Sequence, residues 1–260
     1  MIIQLTDKKI IYNHLKKDVF LFAYHIGDLD DFFFPDCIWY GLIKEKILHE
    51  IGLLYTGLSV PVLLIQGIST DISVLLRGIF KDLPKKFFCH YMKDLEQDFL
   101  TDYKMTYLGT YLKMKFLGFT KGLAKTDTSG VVRLREKNES EVLAYYQEAS
   151  PDSYFESFML ATGKYFGIRQ DGKLKSVAGV HVYSEKYKVA TLGNIVTHPN
   201  IRRKGLARQC VTKLLEELVT EVDHIGLNVR ADNLPAINLY KQLGFIEHAE
   251  YEEALFERIE

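Results

Sequence analysis

Apolar residues recur at two spacings along the 260-residue chain, every second position in some stretches and every third or fourth in others. In the first half, residues 9–22 mix apolar and basic side chains in a helix-compatible way. Strand-like runs follow at 38–43, 47–55 and 60–66. A helical period then covers 72–80, a strand 86–91, a short helix 95–100, and an alternating run over 105–116 predicts a hairpin. The second half repeats this order. It predicts a strand at 131–135, a helix at 139–149 with Asn138 or Ser140 as cap, and a second helix at 151–162. Strands at 165–169, 175–183 and 189–197 come next. From Ala207 a helix carries Cys210, Val211, Leu214, Leu215, Leu218, Val219 and Val222 on one face. A strand at 224–230, a helix at 234–243 stopped by Gly244, and an alternating pair of strands to Arg258 complete the pattern.

Strands followed by helix, strand, helix and strands, occurring twice, predict an α/β chain of the α+β kind with a mixed, mostly antiparallel sheet flanked by helices, duplicated in tandem. Residues 121–130, KGLAKTDTSG, are small, polar and aperiodic, which predicts a linker between a domain at 1–120 and a domain at 131–260.

Composition narrows the chemistry. With 47% hydrophobic residues, 16 Phe and 16 Tyr, a substantial core can form. A formal net charge of −1 gives no global field for nucleic acid or an anionic membrane, and neither is expected as a partner. Cys37, Cys89 and Cys210 are odd in number and form no CxxC pair, so free thiols and a reducing, cytoplasmic setting are expected. No apolar run is long enough to span a bilayer, and the first residues lack a signal-peptide pattern. Asp28, Asp30, Asp31 and Asp36 near His25 fit no calcium or zinc spacing, so they read as a structural loop and no metal is expected.

The stretch from Asn194 to Leu218 draws the functional reading together. A strand leads through His198, Pro199 and Asn200 to Arg202, Arg203, Lys204, Gly205, Leu206 and Ala207, which open the amphipathic helix. A basic, glycine-containing turn at a helix N-terminus holds phosphate, because unpaired N–H groups and the helix dipole converge there. The spacing is neither that of a Walker loop nor that of a dinucleotide fingerprint.

The pattern Arg202-x-x-Gly205-x-Ala207, followed by Asn233-x-x-Ala236-x-x-x-Tyr240-x-x-x-Gly244-Phe245, resembles the GNAT acyltransferase superfamily from Val131 onward. The resemblance implies an acetyl-CoA or other acyl-CoA co-substrate. Its pyrophosphate would be held by Arg202, Arg203, Lys204, Gly205, Leu206 and Ala207, and its pantetheine arm by Ile195, Val196 and Thr197. Asn233 and Ala236 would adjoin the coenzyme. Tyr240 would serve the leaving thiolate as acid. The strand at 189–197 offers no carboxylate base, so His181, on the neighbouring strand, stands as the candidate, against a plain reading as a hydrogen-bonded sheet histidine.

The first half has no such turn: Gln66-Gly67-Ile68-Ser69-Thr70-Asp71 lacks the basic residues, which reads as a degenerate copy, loosely similar in arrangement to glycine N-acyltransferase-like members. The implied reaction is transfer of an acetyl group to a primary amine of a small molecule or amino acid by direct attack, from a monomer or homodimer. A peptide or protein amine, or a non-catalytic acyl-CoA-binding regulatory module, are the alternatives.

Overall fold

The computed structural model describes residues 1–120 and 126–259, so most of the expected linker, 121–125, lies outside the described residues. In chain order the elements are β1 (Ile2–Leu5), α1 (Lys8–Leu15), α2 (Ala23–Gly27), β2 (Cys37–Lys44), β3 (Ile47–Tyr55), β4 (Val62–Ile65), α3 (Ile72–Ile79), β5 (Lys86–Tyr91) and β6 (Tyr103–Phe116). They continue as β7 (Val131–Leu134), α4 (Glu139–Ala149), β8 (Tyr165–Gln170), β9 (Lys173–Ser184), β10 (Val189–Thr197), α5 (Leu206–Leu218), β11 (His224–Arg230), α6 (Leu234–Leu243) and β12 (Phe245–Arg258).

Contacts divide the chain into two units. The first comprises 1–114, 229–234 and 247–260, and the second 115–228 and 235–246. The division therefore does not follow a single cut at a linker. After Ile246, β12 joins the first unit, where Glu252–Glu257 pair antiparallel with Lys86–Tyr91.

Within the first unit the strand order is β1-β2-β3-β4-β5-β12-β6. Neighbours along β1 to β4 are antiparallel, whereas β4 and β5 are parallel and are joined through α3. A parallel pair needs such a crossover, because no tight turn can return the chain to the same end of the sheet. Ile72, Leu75, Leu76 and Ile79 of α3 are buried at helical spacing in a core with Phe87, Phe99, Tyr103 and Phe256. The Phe99 and Phe256 rings lie 4.3 Å apart.

The second unit repeats the scheme. Its order is β11-β10-β9-β8-β7, antiparallel except for the parallel β10–β11 pair, with α5 between them. Leu206, Cys210, Val211, Leu214, Leu215 and Leu218 of α5 are buried against β8, β9 and β10. On each side, then, a helical crossover separates the parallel strands, and the turn that opens that helix follows the end of the first strand.

Four local readings are corrected by the fold. The expected hairpin at 105–116 is one strand, Tyr103–Phe116, and the expected terminal pair is also one strand, Phe245–Arg258. Gly109, within the first of them, has φ 141° and lies under the Arg230 guanidinium. Phe245–Arg258 contains no Gly, Pro, Asn or Ser to turn the chain. The expected helix at 151–162 is a 3-10 turn over Ser157–Thr162, because Glu156 is extended at φ −120°, ψ 141°. At 9–22 the helical period is interrupted, with α1 ending at Leu15 and a 3-10 turn at Lys16–Asp18.

Candidate functional site

The second unit opens where β10 leaves β11. The two strands pair only from Val189↔His224 to Leu192↔Leu227, and the β10–β9 ladder shifts register between Gly193 and Val196. Asn194 sits in this bulge at φ 53°. Its neighbour Gly193 lies beneath the His181 ring, where an added Cβ would come within 2.3 Å of it. The Gly193↔Gly179 pair is filled from the other side of the ladder in the same way, with the Tyr165 ring 2.3 Å from a Cβ at Gly179.

The bulge is pinned by tyrosines. Tyr146 Oη of α4 donates to the Asn194 carbonyl at 2.7 Å, and Tyr145 Oη donates to the Val196 carbonyl at 2.9 Å. The Asn194 side chain, buried, donates through Nδ2 to Tyr165 Oη at 2.9 Å, and Tyr165 Oη donates in turn to the Val180 carbonyl. Ile195, Val196 and Thr197 thus continue beyond the β11 pairing with their geometry held from α4.

Pro199–Ile201 form a single 3-10 turn capped by His198, whose Nε2 lies 3.1 Å from Glu148. That partner accounts for His198 structurally. Arg202 Nε donates to the Thr197 carbonyl at 3.3 Å. Arg203 at φ 64° and Gly205 at φ 76° are both left-handed, so the chain turns sharply before α5 begins at Leu206. Gln209 N is bonded to the Gly205 carbonyl, and the N–H groups of Leu206, Ala207 and Arg208 precede the first intrahelical bond. Nothing stands within 4 Å of a Cβ built at Gly205. Among the described residues no carboxylate pairs with Arg202, Arg203 or Lys204, and all three are exposed. The result is an unneutralised basic turn at a helix N-terminus.

Tyr240 is buried in α6 with its ring 5.9 Å from Phe245, edge on, and burial raises its pKa above the usual 10.0. Ala236 is half-buried one turn earlier, and Asn233 is exposed directly before the helix. Burial lowers the pKa of His181 below 6.5, while a hydrogen bond with the Asn194 side chain pulls it back up, and Tyr154 lies 6.4 Å away ring to ring. Burial thereby favours the neutral form of the His181 imidazole.

Asn194, Tyr145, Tyr146 and Tyr165 escape a reading based on sequence. The available signal is an Asn interrupting an apolar strand, since Asn tolerates the left-handed conformation better than most residues. Among the described residues no group of three or more His, Cys, Asp or Glu side chains is placed to hold a metal ion, and no helix is long and apolar enough to cross a membrane.

Residues 131–245 match the Acetyltransferase (GNAT) family. This segment is a GNAT acetyltransferase domain. It contains β10, the turn, α5 and α6, so the family assignment and the bulged, splayed strand coincide. Over 83 residues the chain is 40% identical to the [Ribosomal protein bS18]-alanine N-acetyltransferase of Escherichia coli strain K12, covering 32% of this chain and 54% of the relative. The chain thus spans about half the length of the curated relatives it matches. A solved Drosophila protein shares the fold with a TM-score of 0.72 at 12% identity, with 98% of both chains covered. A tandem GNAT protein from the clavulanic acid biosynthesis pathway aligns with a TM-score of 0.55 at 12% identity over 99% of this chain and 98% of its own. The repeated element order is thus shared, as a fold, with a tandem GNAT protein over nearly the whole chain.

Proposed function

We propose that the chain is an acetyl-CoA-dependent N-acetyltransferase acting on a primary amine. The observation that carries this reading is the parting of β10 from β11 after Leu192 and Leu227, just ahead of an unneutralised basic turn at the start of α5. A strand freed from its partner offers backbone groups to the amide-rich pantetheine arm of the coenzyme. The turn offers Arg202, Arg203, Lys204 and the N–H groups of Gly205 to Ala207 to its pyrophosphate. The contacts of Asn233 and Ala236 would lie further along the coenzyme.

In the proposed reaction the neutral amine attacks the thioester carbonyl. His181, directly or through water, takes the amine proton, and Tyr240 donates its hydroxyl proton to the departing thiolate. A phenol kept protonated by burial suits the acid role, and an imidazole kept neutral suits the base role. A small-molecule or amino acid amine is the first acceptor class. A protein N-terminus is the second, favoured by the matched Escherichia coli relative, an alanine N-acetyltransferase of ribosomal protein bS18.

Thiol release from acetyl-CoA is to be measured over amino acids, simple amines and a peptide with an N-terminal alanine. Turnover with one class and not the others assigns the acceptor. Coenzyme binding without turnover on any amine would overturn the enzyme reading in favour of a regulatory acyl-CoA-binding module.

The first unit is proposed to bind no coenzyme, for a physical reason. Glu50 of β3 is fully buried beneath the turn that precedes α3, accepting from Ser69 Oγ at 2.6 Å and from Ile68 N at 3.3 Å. An internal carboxylate therefore takes the donors that a phosphate would use. A cavity of about 520 Å³ beside it is lined by Gly67, Ser69, Thr70, Met92 and Lys93 among others. Calorimetry is expected to count one coenzyme per chain. Glu50→Ala should lower unfolding free energy by about 1–3 kcal/mol through the abandoned donors, with coenzyme affinity unchanged. A stoichiometry of two would refute the assignment.

A further inference from the structure

The first unit holds an ionisable and aromatic cluster that plays no part in the proposed coenzyme site. On β5 and β12, His90 stands opposite Glu253, with Nε2 3.7 Å from the carboxylate. Tyr251, two residues earlier on β12, stacks on Tyr111 of β6 at 5.3 Å and lies 4.8 Å from the His90 ring. Tyr24 of α2 covers the same place, 6.2 Å from His90. Beneath these rings is Lys113 of β6, 2% exposed, with Nζ 4.9 Å from the centre of the Tyr251 ring and 5.5 Å from that of Tyr24.

Among the described residues Lys113 has no carboxylate partner and no hydrogen-bond acceptor. Asp18 is the nearest candidate by charge, yet its carboxylate is engaged by His248 Nε2 at 2.7 and 3.0 Å and by Leu21 N. The buried His25 adds no anion, since it is either neutral or cationic. A lysine almost never sits this deep without a counterion, because removing an ammonium from water is costly and a tyrosine face replaces only part of the lost hydration. Glu253 and His90 are less deeply buried, with side chains 21% and 13% exposed.

We propose that this buried cluster is a binding site for a small organic carboxylate, its carboxyl group paired with Lys113 Nζ and its body laid against the rings of Tyr24 and Tyr251. Glu253, opposite His90, suits an amino group on the same ligand. Burial pushes the pKa of Lys113 down to about 7 and that of Glu253 up to about 7. Asp18 raises Lys113 slightly, and Tyr111 and Arg230 lower Glu253. An arriving carboxylate would restore the charge on Lys113, so binding above neutral pH takes up a proton.

The full chain is titrated with sodium benzoate, glycine and benzylamine by calorimetry at about pH 8 and about pH 6, either side of the lysine's depressed value. No acetyl-CoA is present, so the result stands apart from the acyl-transfer reading. Saturable binding of benzoate or glycine but not benzylamine is expected, with proton uptake at the higher pH that vanishes at the lower. Lys113→Met should weaken it by about 10-fold or more, the loss expected when a charged hydrogen bond is removed, without lowering Tm. No saturable carboxylate binding, binding without proton uptake in the native protein, or unchanged affinity in a folded Lys113→Met variant overturns the proposal.

Discussion

Tyr240→Phe is expected to slow acetyl transfer by about 100-fold or more while leaving the dissociation constant of the coenzyme nearly unchanged. The substitution keeps the ring, its edge-on contact with Phe245 at 5.9 Å and its place in the buried face of α6. Only the hydroxyl is lost, and the stability change should stay within about 1 kcal/mol. A thiolate leaving without a proton is a poorer leaving group, so the loss falls on the chemical step. Single-turnover thiol release, read beside equilibrium coenzyme binding, separates the two. A rate equal to that of the native chain would remove Tyr240 from its role.

The same argument fixes the sign of the pH dependence. Tyr240, raised above 10.0 by burial, stays protonated throughout the neutral range and is lost as an acid only in strong alkali. His181, lowered below 6.5, gains a proton and ceases to be a base only as the pH falls below that value. Neither group should impose a limb on the rate between about pH 7 and 9, and any limb there belongs to the acceptor amine.

Elements whose period and punctuation agree were legible from residues alone. Ile47–Tyr55, Lys86–Tyr91, Glu139–Ala149 and His224–Arg230 all begin and end where an alternation or helical stripe starts and stops. Tyr103–Phe116 and Phe245–Arg258 were harder, because a 14-residue strand far exceeds the usual length of about 5–6 and invites division into a hairpin. What keeps them whole is non-local. Glu252–Glu257 add to β5, which lies far away in sequence, and no local pattern announces that pairing.

The candidate site divides along the same line. Its turn is visible because residue types mark it: basic side chains, a glycine and a helix start. The bulge at Asn194 is not, since it depends on Tyr146 and Tyr165 arriving from other elements. Lys113 is invisible for a related reason. A lysine in an alternating strand reads as a solvent-facing position, and only the Tyr24 and Tyr251 rings, from either end of the chain, place it indoors.

Gly205→Asp should abolish measurable coenzyme binding while the chain remains folded, and the choice of residue follows from the backbone. At φ 76° a valine would be a severe outlier, so its failure to bind could reflect a disrupted turn. Aspartate is among the residues that tolerate a left-handed conformation, and the strain there is about 1–2 kcal/mol. Its charge at the start of α5 offsets about 0.3–1 kcal/mol of that through the helix dipole. The open space around a Cβ at Gly205 means that no protein atom resists the side chain. The carboxylate would instead stand where the pyrophosphate is proposed to lie, repelling it and competing for the N–H groups of α5. Thermal unfolding with and without coenzyme tests both halves of the argument. The variant should melt within a few degrees of the native chain, a shift of the size that about 1 kcal/mol produces in a chain of this length, and saturating coenzyme should no longer raise Tm. A normal coenzyme-induced rise in the variant would show that the basic turn does not hold the pyrophosphate.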